Sequence, residues 1–426
     1  MRFLYSTLLR LGIPLYFVRL LARSISEPLY RSDLAGRLGY GRQQAARDCV
    51  WVHAVSLGET RAAEALVKAM RELDPGMRLL LTHGTATGCE AGRQLMQPGD
   101  LQAWLPLDTP GAVKRFLRRH RPSLGVLMET EIWPNLVHYA RRERVPLVLA
   151  NARLSERSLR KGERWRRLLR PAVAGIDQTL AQTDDDAYRL RKAGARQVRV
   201  MGNLKFDMTP PPKLLARGLE WRQRLSRHVV MAASTRNGEE WPLLEAWINV
   251  PAPRPLLLIV PRHPNRFDEV ARLVERSGLR LRRRSEFGES PPPDAELADV
   301  WLGDSVAEMP MYYGMSDVAL LGGSFAPLGG QNLIEAAACG CPLIMGPHTF
   351  NFADAAQMAR AAGAAHRVQS IQEGVKAAVV MATDQRRNDW VERALAFAAA
   401  HRGAARRMAE AALRQRNAGS GAESQP

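Results

Sequence analysis

The sequence predicts an α/β protein with two domains, each a parallel sheet wrapped by helices, preceded by an apolar N-terminal helix. Strand-like and helix-like segments alternate in two sets, which is the pattern of parallel sheets. A proline-rich stretch, MTPPPKLLARG, separates the sets, and 426 residues exceed one ordinary core. We therefore divide the chain into a membrane anchor helix (1–24), an N-terminal domain (25–207), a linker (208–218), a C-terminal domain (219–386), a C-terminal helix (387–417) and a disordered tail (418–426).

Composition favours folded domains with an anionic partner. The apolar content is 46% and the formal net charge is +18. Such a charge suits nucleic acid, an acidic membrane or a phosphorylated substrate. No zinc finger, helix-turn-helix or RNP-like motif accompanies it, so no nucleic-acid partner is expected. The four cysteines form no C-x-x-C pair, which favours a reducing compartment, and no H-E-x-x-H motif indicates a metal.

The first 23 residues are apolar, contain no acidic residue and carry interspersed arginines and aromatic residues. No small-residue cleavage site follows, so the segment does not read as a signal peptide. Arg10 and Pro14 disfavour a spanning helix, whereas arginines with aromatic residues suit a helix lying in an anionic membrane interface. A single span is the alternative. In both cases the clustered arginines that follow predict a cytoplasmic location for the rest of the chain.

Polar residues follow the strands of the first set, where ligands of parallel sheets bind. After strand 50–56, a glycine turn places Glu59 at the start of a helix, where a carboxylate suits a general base. The alternative is an acid that simply favours the positive end of a helix. After the fourth strand, Glu129 and Glu131 precede a helix that begins with proline. Arg153 follows the fifth strand and is expected to pair with a substrate acid or with one of these glutamates.

Three further polar segments follow strands of the first set. The loop THGTATG (82–88) suits substrate contacts or helix capping. The triplet 184–186 is predicted to occupy a helix first turn capped by Thr183, rather than to bind a metal. Lys205 follows the last strand and is expected to provide a cation at the mouth of an interdomain cleft.

The second set places a cation and a glycine-bearing loop at strand ends. Arg262 follows the strand 256–260, where it can neutralise a phosphate. Between strands 317–321 and 342–345, glycines bracket the loop 322–330, which opens into a helix that carries Glu335. Backbone N–H groups at such a loop approach an anion, and Glu335 can accept from ribose hydroxyls. An ordinary strand-to-helix turn is the alternative, because the spacing is not that of GxGxxG.

Seven collinear motifs resemble the bacterial Kdo (3-deoxy-D-manno-octulosonic acid) transferase family, which has the GT-B glycosyltransferase fold of two Rossmann-like domains facing a cleft. They are HAVSLGET, METEIWPN, NARLSERS, GNLKFD, PRHPNRF, GDSVAEM and GGQNLIEAA with GPHTFNF. The resemblance implies that Glu59 is the general base and that Glu129 and Lys205 stabilise the transition state. It also implies a CMP site formed by Pro261, Arg262, Val306, Ala307, Glu308, Asn332, Leu333, Ile334 and Glu335. One departure is His83-Gly84-Thr85, which replaces a more usual threonine-rich loop.

The resemblance implies an enzyme that transfers Kdo from CMP-Kdo to the lipid A precursor during lipopolysaccharide biosynthesis, without a cofactor. Its expected location is the cytoplasmic face of the inner membrane, where the basic surface faces anionic lipid. Two alternatives stay open: a GT-B enzyme that uses a UDP-sugar, and a basic membrane- or nucleic-acid-binding protein without activity. Thermal stabilisation by CMP rather than UDP distinguishes a Kdo transferase from the first alternative. A product assay with the lipid A precursor distinguishes it from the second.

Overall fold

A computed structural model describes residues 1–41 and 47–421 of the chain. These residues form two compact units. The first contains Met1–Met208 and the segment that begins at Arg402, and the second contains Thr209–His401. Each unit is built on a seven-stranded parallel sheet within the described part of the chain. The α/β class predicted from the sequence is therefore confirmed.

The first unit alternates strands and helices after an N-terminal helix. Its elements are α1 (Arg2–Arg23), β1 (Val50–His53), α2 (Leu57–Leu73), β2 (Leu79–His83), α3 (Ala86–Gly92), β3 (Leu101–Trp104), α4 (Pro110–His120), β4 (Leu124–Met128), α5 (Pro134–Arg142), β5 (Leu147–Ala152), α6 (Glu156–Glu163), α7 (Arg166–Val173), β6 (Gln178–Ala181), α8 (Asp184–Ala193) and β7 (Val198–Val200).

The first sheet has the order β3-β2-β1-β4-β5-β6-β7. Strands β1 and β4 are buried along their whole length, as expected for parallel strands that are covered by helices on both faces. They are neighbours, with His53 opposite Leu127, although β2 and β3 lie between them in the chain. The strand order therefore reverses between β1 and β4. In open α/β sheets, ligands bind outside the carboxyl ends of the strands at such a switch point.

The second unit repeats the plan. Its elements are α9 (Pro212–Arg224), β8 (Val229–Thr235), α10 (Glu240–Ile248), β9 (Leu256–Pro261), α11 (Phe267–Arg276), β10 (Leu281–Arg283), β11 (Val300–Leu302), α12 (Met309–Gly314), β12 (Val318–Leu321), α13 (Leu333–Ala338), β13 (Leu343–Met345), α14 (Ala353–Ala361), β14 (Ala365–Arg367), α15 (Ile371–Thr383) and α16 (Arg387–Ala400). The order β10-β11-β9-β8-β12-β13-β14 places the switch point between β8 and β12.

The segment 208–218, expected to be a stiff linker, contains the start of helix α9. Pro212 occupies the first helical position, where its missing N–H costs nothing. Gly218 packs so closely on α12 that a Cβ there would lie 2.1 Å from the Met311 carbonyl oxygen. Trp221, one turn later, is buried. Most of the expected linker is therefore a packed part of the second unit.

The expected single helix 387–417 is two helices, α16 and α17 (Ala404–Gly421). The helical conformation is interrupted at Gly403, whose φ of +91° is a conformation that L residues rarely adopt. Asp207 then caps α17 by accepting from the Gly403 and Ala405 N–H groups, the second at 2.7 Å. Helix α17 continues through Gly421, so the tail expected at 418–426 is helical at its start. Residues 422–426 lie outside the described residues.

Helix α17 belongs to the core of the first unit. Ala405, Met408, Ala412 and Leu413 are buried in one cluster with residues of β1, β2, β4 and α2. On the same helix, Arg416 forms an ion pair with Asp74 at 2.7 Å. The chain therefore completes the first sheet's helical cover only after it has formed the second unit.

Helix α1 spans Arg2–Arg23, as predicted, and lies against the first unit through specific polar contacts. The Tyr5 hydroxyl donates to Asp108 at 3.0 Å, and the Ser6 hydroxyl and the Asn135 side chain hydrogen-bond to one another. Nearer its end, Tyr16 accepts from the buried Arg37 guanidinium at 2.8 Å. By length and composition alone, α1 is long and apolar enough to cross a membrane. Only 11% of its most apolar 18-residue stretch is buried.

The opposite face of α1 is an exposed apolar stripe with helical spacing. Its members share exposed fractions of about half or more: Leu4, Leu8, Leu11, Leu15 and Val18, continued by Ile25 just beyond the helix. One face of α1 therefore contacts the first unit, and the other exposes apolar side chains.

Candidate active site

Two acidic residues predicted as catalytic lie at the switch point of the first sheet. Glu59 stands in the first turn of α2, directly after β1, and Glu129 directly follows β4. Because β1 and β4 are neighbouring strands, both residues lie at the same edge of the sheet. Burial raises the pKa of Glu59, and the Glu129 carboxylate adds to that rise, so the two acids interact electrostatically. The topology therefore brings two separated motifs together.

Glu59 is held by its own helix start. Its carboxylate accepts from the Val55 N–H at 2.9 Å and from the Ser56 hydroxyl at 3.0 Å. Ser56 in turn accepts from the Glu59 N–H at 3.4 Å. Ser56 is thus the N-cap of α2, and Glu59 lies in its first turn, as the helix-start alternative predicts. The two hydrogen bonds also fix the carboxylate direction. Partial burial raises the pKa of Glu59, and the Val55 hydrogen bond opposes that rise.

Glu129 is buried and has an unusual backbone. Its φ is +55°, a left-handed conformation that costs a non-glycine residue free energy. The Glu129 carboxylate accepts from Arg153 Nε at 2.9 Å. Of the partners expected for Arg153, Glu129 is the one that it contacts in the structure. The guanidinium remains half exposed, so it offers further donors to a ligand.

Lys205 belongs to the same charge cluster. Burial lowers the pKa of Lys205, the Glu129 and Glu59 carboxylates oppose that shift, and Arg153 adds to it. A short network positions its backbone: Asn203 Oδ1 accepts from the Lys205 N–H at 3.0 Å, and Asn151 Oδ1 accepts from the Leu204 N–H at 3.1 Å. The cluster therefore combines two carboxylates and two cations at one sheet edge.

Glu131 is a third acid beside this cluster. It accepts from Trp133 Nε1 at 2.9 Å, and its Oε2 lies 3.9 Å from Nε2 of the buried His53. Burial, with a contribution from the Glu59 carboxylate, raises the pKa of Glu131 to about 7. Burial lowers the pKa of His53 to about 3, so the imidazole is neutral. Glu131 therefore has both a structural partner and a proton that is released near neutral pH.

The remaining polar loops of the first unit cap helices. Thr85 accepts from the Gly88 N–H at 3.2 Å, and Thr183 accepts from the Asp186 N–H at 3.1 Å. The capping prediction for the acidic triplet is thus confirmed. His83, the departure from the family pattern, is fully buried and hydrogen-bonded to Gln102 at 2.9 Å. Its side chain therefore serves the core rather than an acceptor site.

In the second unit, Pro261 ends β9 and Arg262 follows it at the sheet edge. The Arg262 N–H donates to the Thr235 carbonyl at 3.0 Å, which ties this corner to the end of β8. The Arg262 side chain is exposed. Within the described ranges its guanidinium makes no hydrogen bond or ion pair, so its donors are available to an anionic ligand.

The glycine-bearing loop after β12 is organised by a residue that the sequence analysis missed. Glu239 is 5% exposed, and its carboxylate accepts from the N–H groups of Arg236, Gly323, Phe325 and Ala326 at 2.7–3.2 Å. Three glycines of the loop, Gly323, Gly329 and Gly330, have φ between +68° and +90°. The loop conformation therefore depends on glycines and on one buried carboxylate.

The candidate residues 306–308 lie before α12. Val306 is 70% exposed and Ala307 has a φ of +67°. Glu308 accepts from Arg284 Nη2 at 3.0 Å and from the Ser305 hydroxyl. The first two residues of this turn are therefore exposed, while the Glu308 carboxylate is already engaged within the protein.

The candidate residues 332–335 form the start of α13. Asn332 caps the helix by accepting from the Ile334 N–H at 3.3 Å. Leu333 and Ile334 are buried, so only their backbone atoms can reach a ligand. Glu335 is half buried in the first turn. The helix begins at Leu333, two residues later than predicted, because Asn332 rather than Gln331 satisfies its first N–H groups.

Two parallel-sheet units, each with polar residues after the strands at its switch point, are the architecture of the GT-B fold. Solved structures support the fold alone. A glycosyltransferase from Rickettsia africae aligns with a TM-score of 0.57 at 11% identity, covering 86% of this chain and 98% of that one. Anabaena HepE in complex with UDP aligns with a TM-score of 0.59 at 14% identity, covering 86% and 99%.

Sequence comparisons identify the family. The family model described as 3-deoxy-D-manno-octulosonic-acid transferase (kdotransferase) matches residues 32–208. The 3-deoxy-D-manno-octulosonic acid transferase of Bordetella pertussis is 49% identical over 387 residues, which cover 88% of this chain and 89% of the relative. The Haemophilus influenzae transferase is 36% identical over 365 residues, which cover 84% of each. The chain belongs to the Kdo transferase family and is a glycosyltransferase.

Proposed function

We propose that the chain transfers Kdo from CMP-Kdo to the lipid A precursor lipid IVA in lipopolysaccharide biosynthesis, with inversion at the anomeric carbon and release of CMP. Membership of the family supports the Kdo part of this proposal. The observation that carries the mechanism is the cluster of Glu59, Glu129 and Lys205 at the β1–β4 switch point.

The first unit acts on the acceptor in this proposal. Glu59 removes the proton from the attacking sugar hydroxyl while the oxygen forms a bond to the anomeric carbon of Kdo. The bond from that carbon to the phosphate oxygen breaks on the opposite face, and its electrons leave with CMP. Lys205 and Glu129 stabilise the charges that develop in the transition state. The raised pKa of Glu59 makes it a stronger base than an exposed glutamate.

The second unit binds the donor. Pro261 and Arg262, the backbone of 306–308 and the start of α13 surround the cytidylate. Arg262 and backbone N–H groups of the loop 322–330 meet the negative charge of the leaving phosphate. These groups provide the charge neutralisation that a bound cation would supply, so the proposed reaction requires neither a metal nor a cofactor.

The membrane is the third partner. The exposed apolar stripe of α1 enters the cytoplasmic face of the inner membrane, and arginines such as Arg10 and Arg19, both exposed, contact anionic headgroups. The lateral hydrogen bonds of Tyr5 and Ser6 to the first unit favour a helix that lies in the interface over one that spans the bilayer.

Substitution of Glu59 tests the mechanism. We expect Glu59→Gln to lower the rate of transfer at least ~10²-fold while CMP still stabilises the protein thermally. Glu72→Gln, an exposed position on the same helix, is the matched control. Mass spectrometry of the product from CMP-Kdo and the lipid A precursor reports the reaction. Near-normal turnover of Glu59→Gln contradicts the assigned base, and a wild-type protein that transfers no Kdo, or responds to UDP rather than CMP, contradicts the function.

A further inference from the structure

A cavity in the first unit lies beside the proposed catalytic residues and has a mostly aliphatic lining. Its volume is about 320 Å³, and Glu129 and Arg153 belong to its wall. That volume is near the lower end of the usual range for small-molecule sites, roughly 300–1,000 Å³. The aliphatic part of the wall comes from β5, α6, α7, α8 and the turn after β5: Leu149, Leu154, Leu159, Leu169, Val173 and Leu190.

Most of the charged side chains that line this cavity are cationic and exposed. Arg153, Arg166, Arg170 and Lys192 are all solvent-exposed, and Glu163 is the acidic residue among the exposed lining side chains. An aliphatic interior with a cationic rim does not suit a free sugar, whose hydroxyl groups would lose their hydrogen bonds to water on burial among leucines. It suits a ligand with an apolar chain and an anionic head.

The two helices over the cavity have the features of a membrane-contacting surface. The segment 156–170 contains seven basic and two acidic residues. Trp165, in the connection between α6 and α7, is 57% exposed. An exposed tryptophan among arginines is typical of the interface between headgroups and acyl chains. A lipid can therefore reach the cavity from a bilayer on which this surface rests.

We propose that this cavity binds one acyl chain of the anionic acylated sugar that accepts Kdo, while Arg166 and Arg170 contact its phosphate. This inference rests on the proposed function and specifies how the same site recognises its acceptor. Burial of several methylene groups supplies binding free energy remote from the reacting hydroxyl, and the shared wall residues Glu129 and Arg153 place that hydroxyl's sugar near the charge cluster.

Occlusion of the cavity tests the inference. Two acceptors are compared in detergent solution with CMP-Kdo as donor: lipid IVA, and its fully deacylated glucosamine disaccharide bisphosphate. For the wild type we expect deacylation to raise KM at least about tenfold, because each buried methylene contributes roughly a fourfold factor. We expect Leu169→Trp to raise KM for lipid IVA about tenfold and to leave KM for the deacylated acceptor unchanged.

Matched variants separate chain binding from headgroup binding and from misfolding. Leu168→Trp changes the neighbouring leucine, which does not line the cavity, and should leave both KM values unchanged. Arg166→Gln combined with Arg170→Gln should raise KM for both acceptors, because both carry phosphates. Leu154→Trp provides a second occluding substitution in case Leu169→Trp lowers thermal stability.

Three results overturn the inference. One is a wild type that uses both acceptors equally well, and another is an occluding variant that affects both acceptors equally. The third is an unchanged KM for lipid IVA together with weaker attachment of Leu169→Trp to vesicles that lack the acceptor, which assigns the cavity to a bulk membrane lipid. A wild type that transfers Kdo to neither acceptor contradicts the proposed function instead.

Discussion

At the scale of single residues, the protein uses buried carboxylates to organise backbone as well as to provide charge. Asp108 accepts from the Asn135 and Leu136 N–H groups and from Tyr5, and burial raises its pKa to about 6. Glu239 performs the same task for the loop after β12. Glu59 combines both roles, because the contacts that cap α2 also direct its carboxylate.

Glu131 should make the stability of the first unit depend on pH. Its pKa is raised to about 7 in the folded protein, so the folded state holds this proton more tightly than the unfolded state does. The contribution of Glu131 to the free energy of unfolding is therefore greatest below about pH 4.5, and it is lost as the pH rises towards 7. We expect Glu131→Gln to remove about 1–3 kcal/mol of that pH-dependent loss, measured by urea unfolding between pH 4.5 and 7.5.

The exposed Glu72→Gln variant is the control for this measurement, and it should retain the wild-type pH dependence. A stability profile of Glu131→Gln that parallels the wild type over the same pH range contradicts the assignment.

Glu239 should control donor binding through the loop it holds. Replacement by alanine removes the acceptor of four backbone N–H groups. We expect Glu239→Ala to weaken CMP binding about tenfold or more and to cost roughly 1–3 kcal/mol of stability. Calorimetric titration with CMP measures the first effect and chemical unfolding measures the second. The exposed Glu245→Ala on α10 is the control, and unchanged CMP affinity would assign Glu239 to stability alone.

At the scale of elements, strand ends could be predicted from sequence better than helix partners. Alternating apolar and polar segments identified β1, β4, β9 and β12, and the polar residues after them lie at sheet edges as expected. The capping role of Thr183 was predicted from local sequence, whereas the cap at Asn332 was not. Glu239 could not be found in this way, because it accepts from N–H groups more than 80 residues away. The local sequence showed only that Glu239 is an acidic residue that follows a strand.

Helix α1 is the element for which the apolar stripe makes the clearest prediction. We expect the double variant Leu8→Glu/Leu15→Glu to lose at least ~90% of its binding to anionic vesicles, because both side chains are exposed on the apolar stripe that is proposed to enter the membrane. Turnover of a water-soluble deacylated acceptor should change little. Flotation with phosphatidylglycerol vesicles measures the binding.

The control for α1 is Val380→Glu, which introduces a charge at an apolar position of α15 that is 65% exposed. It should bind vesicles like the wild type. Retention of binding by the α1 double variant would assign membrane attachment to another surface.

At the scale of the whole molecule, the two compact units do not follow each other simply along the chain. The first unit is assembled from both the first half of the chain and the segment after His401. Periodicity correctly indicated helical structure near the C-terminus, but an amphipathic pattern does not state which sheet the helix covers. The break at Gly403 has a local signal in the glycine itself, whereas the packing of α17 against α2 depends on long-range burial, which local sequence does not encode.

A substitution in α17 should therefore destabilise the first unit. Met408 is fully buried among residues of the first core, so we expect Met408→Ala to cost about 2–5 kcal/mol. Hydrogen exchange should accelerate in β1 and β2 and stay unchanged in β8 and β9. The exposed Arg414→Ala on the same helix is the control. Faster exchange confined to the second sheet would contradict this assignment of α17.

The return of α17 also sets an order of events during synthesis. While the ribosome translates the second unit, the hydrophobic face of α2 that α17 later covers has no native partner. The second unit, whose residues are contiguous, can complete its fold earlier than the first. The nascent first unit must wait for residues 404–413 to leave the exit tunnel, and until then it exposes an apolar surface that a chaperone can shield.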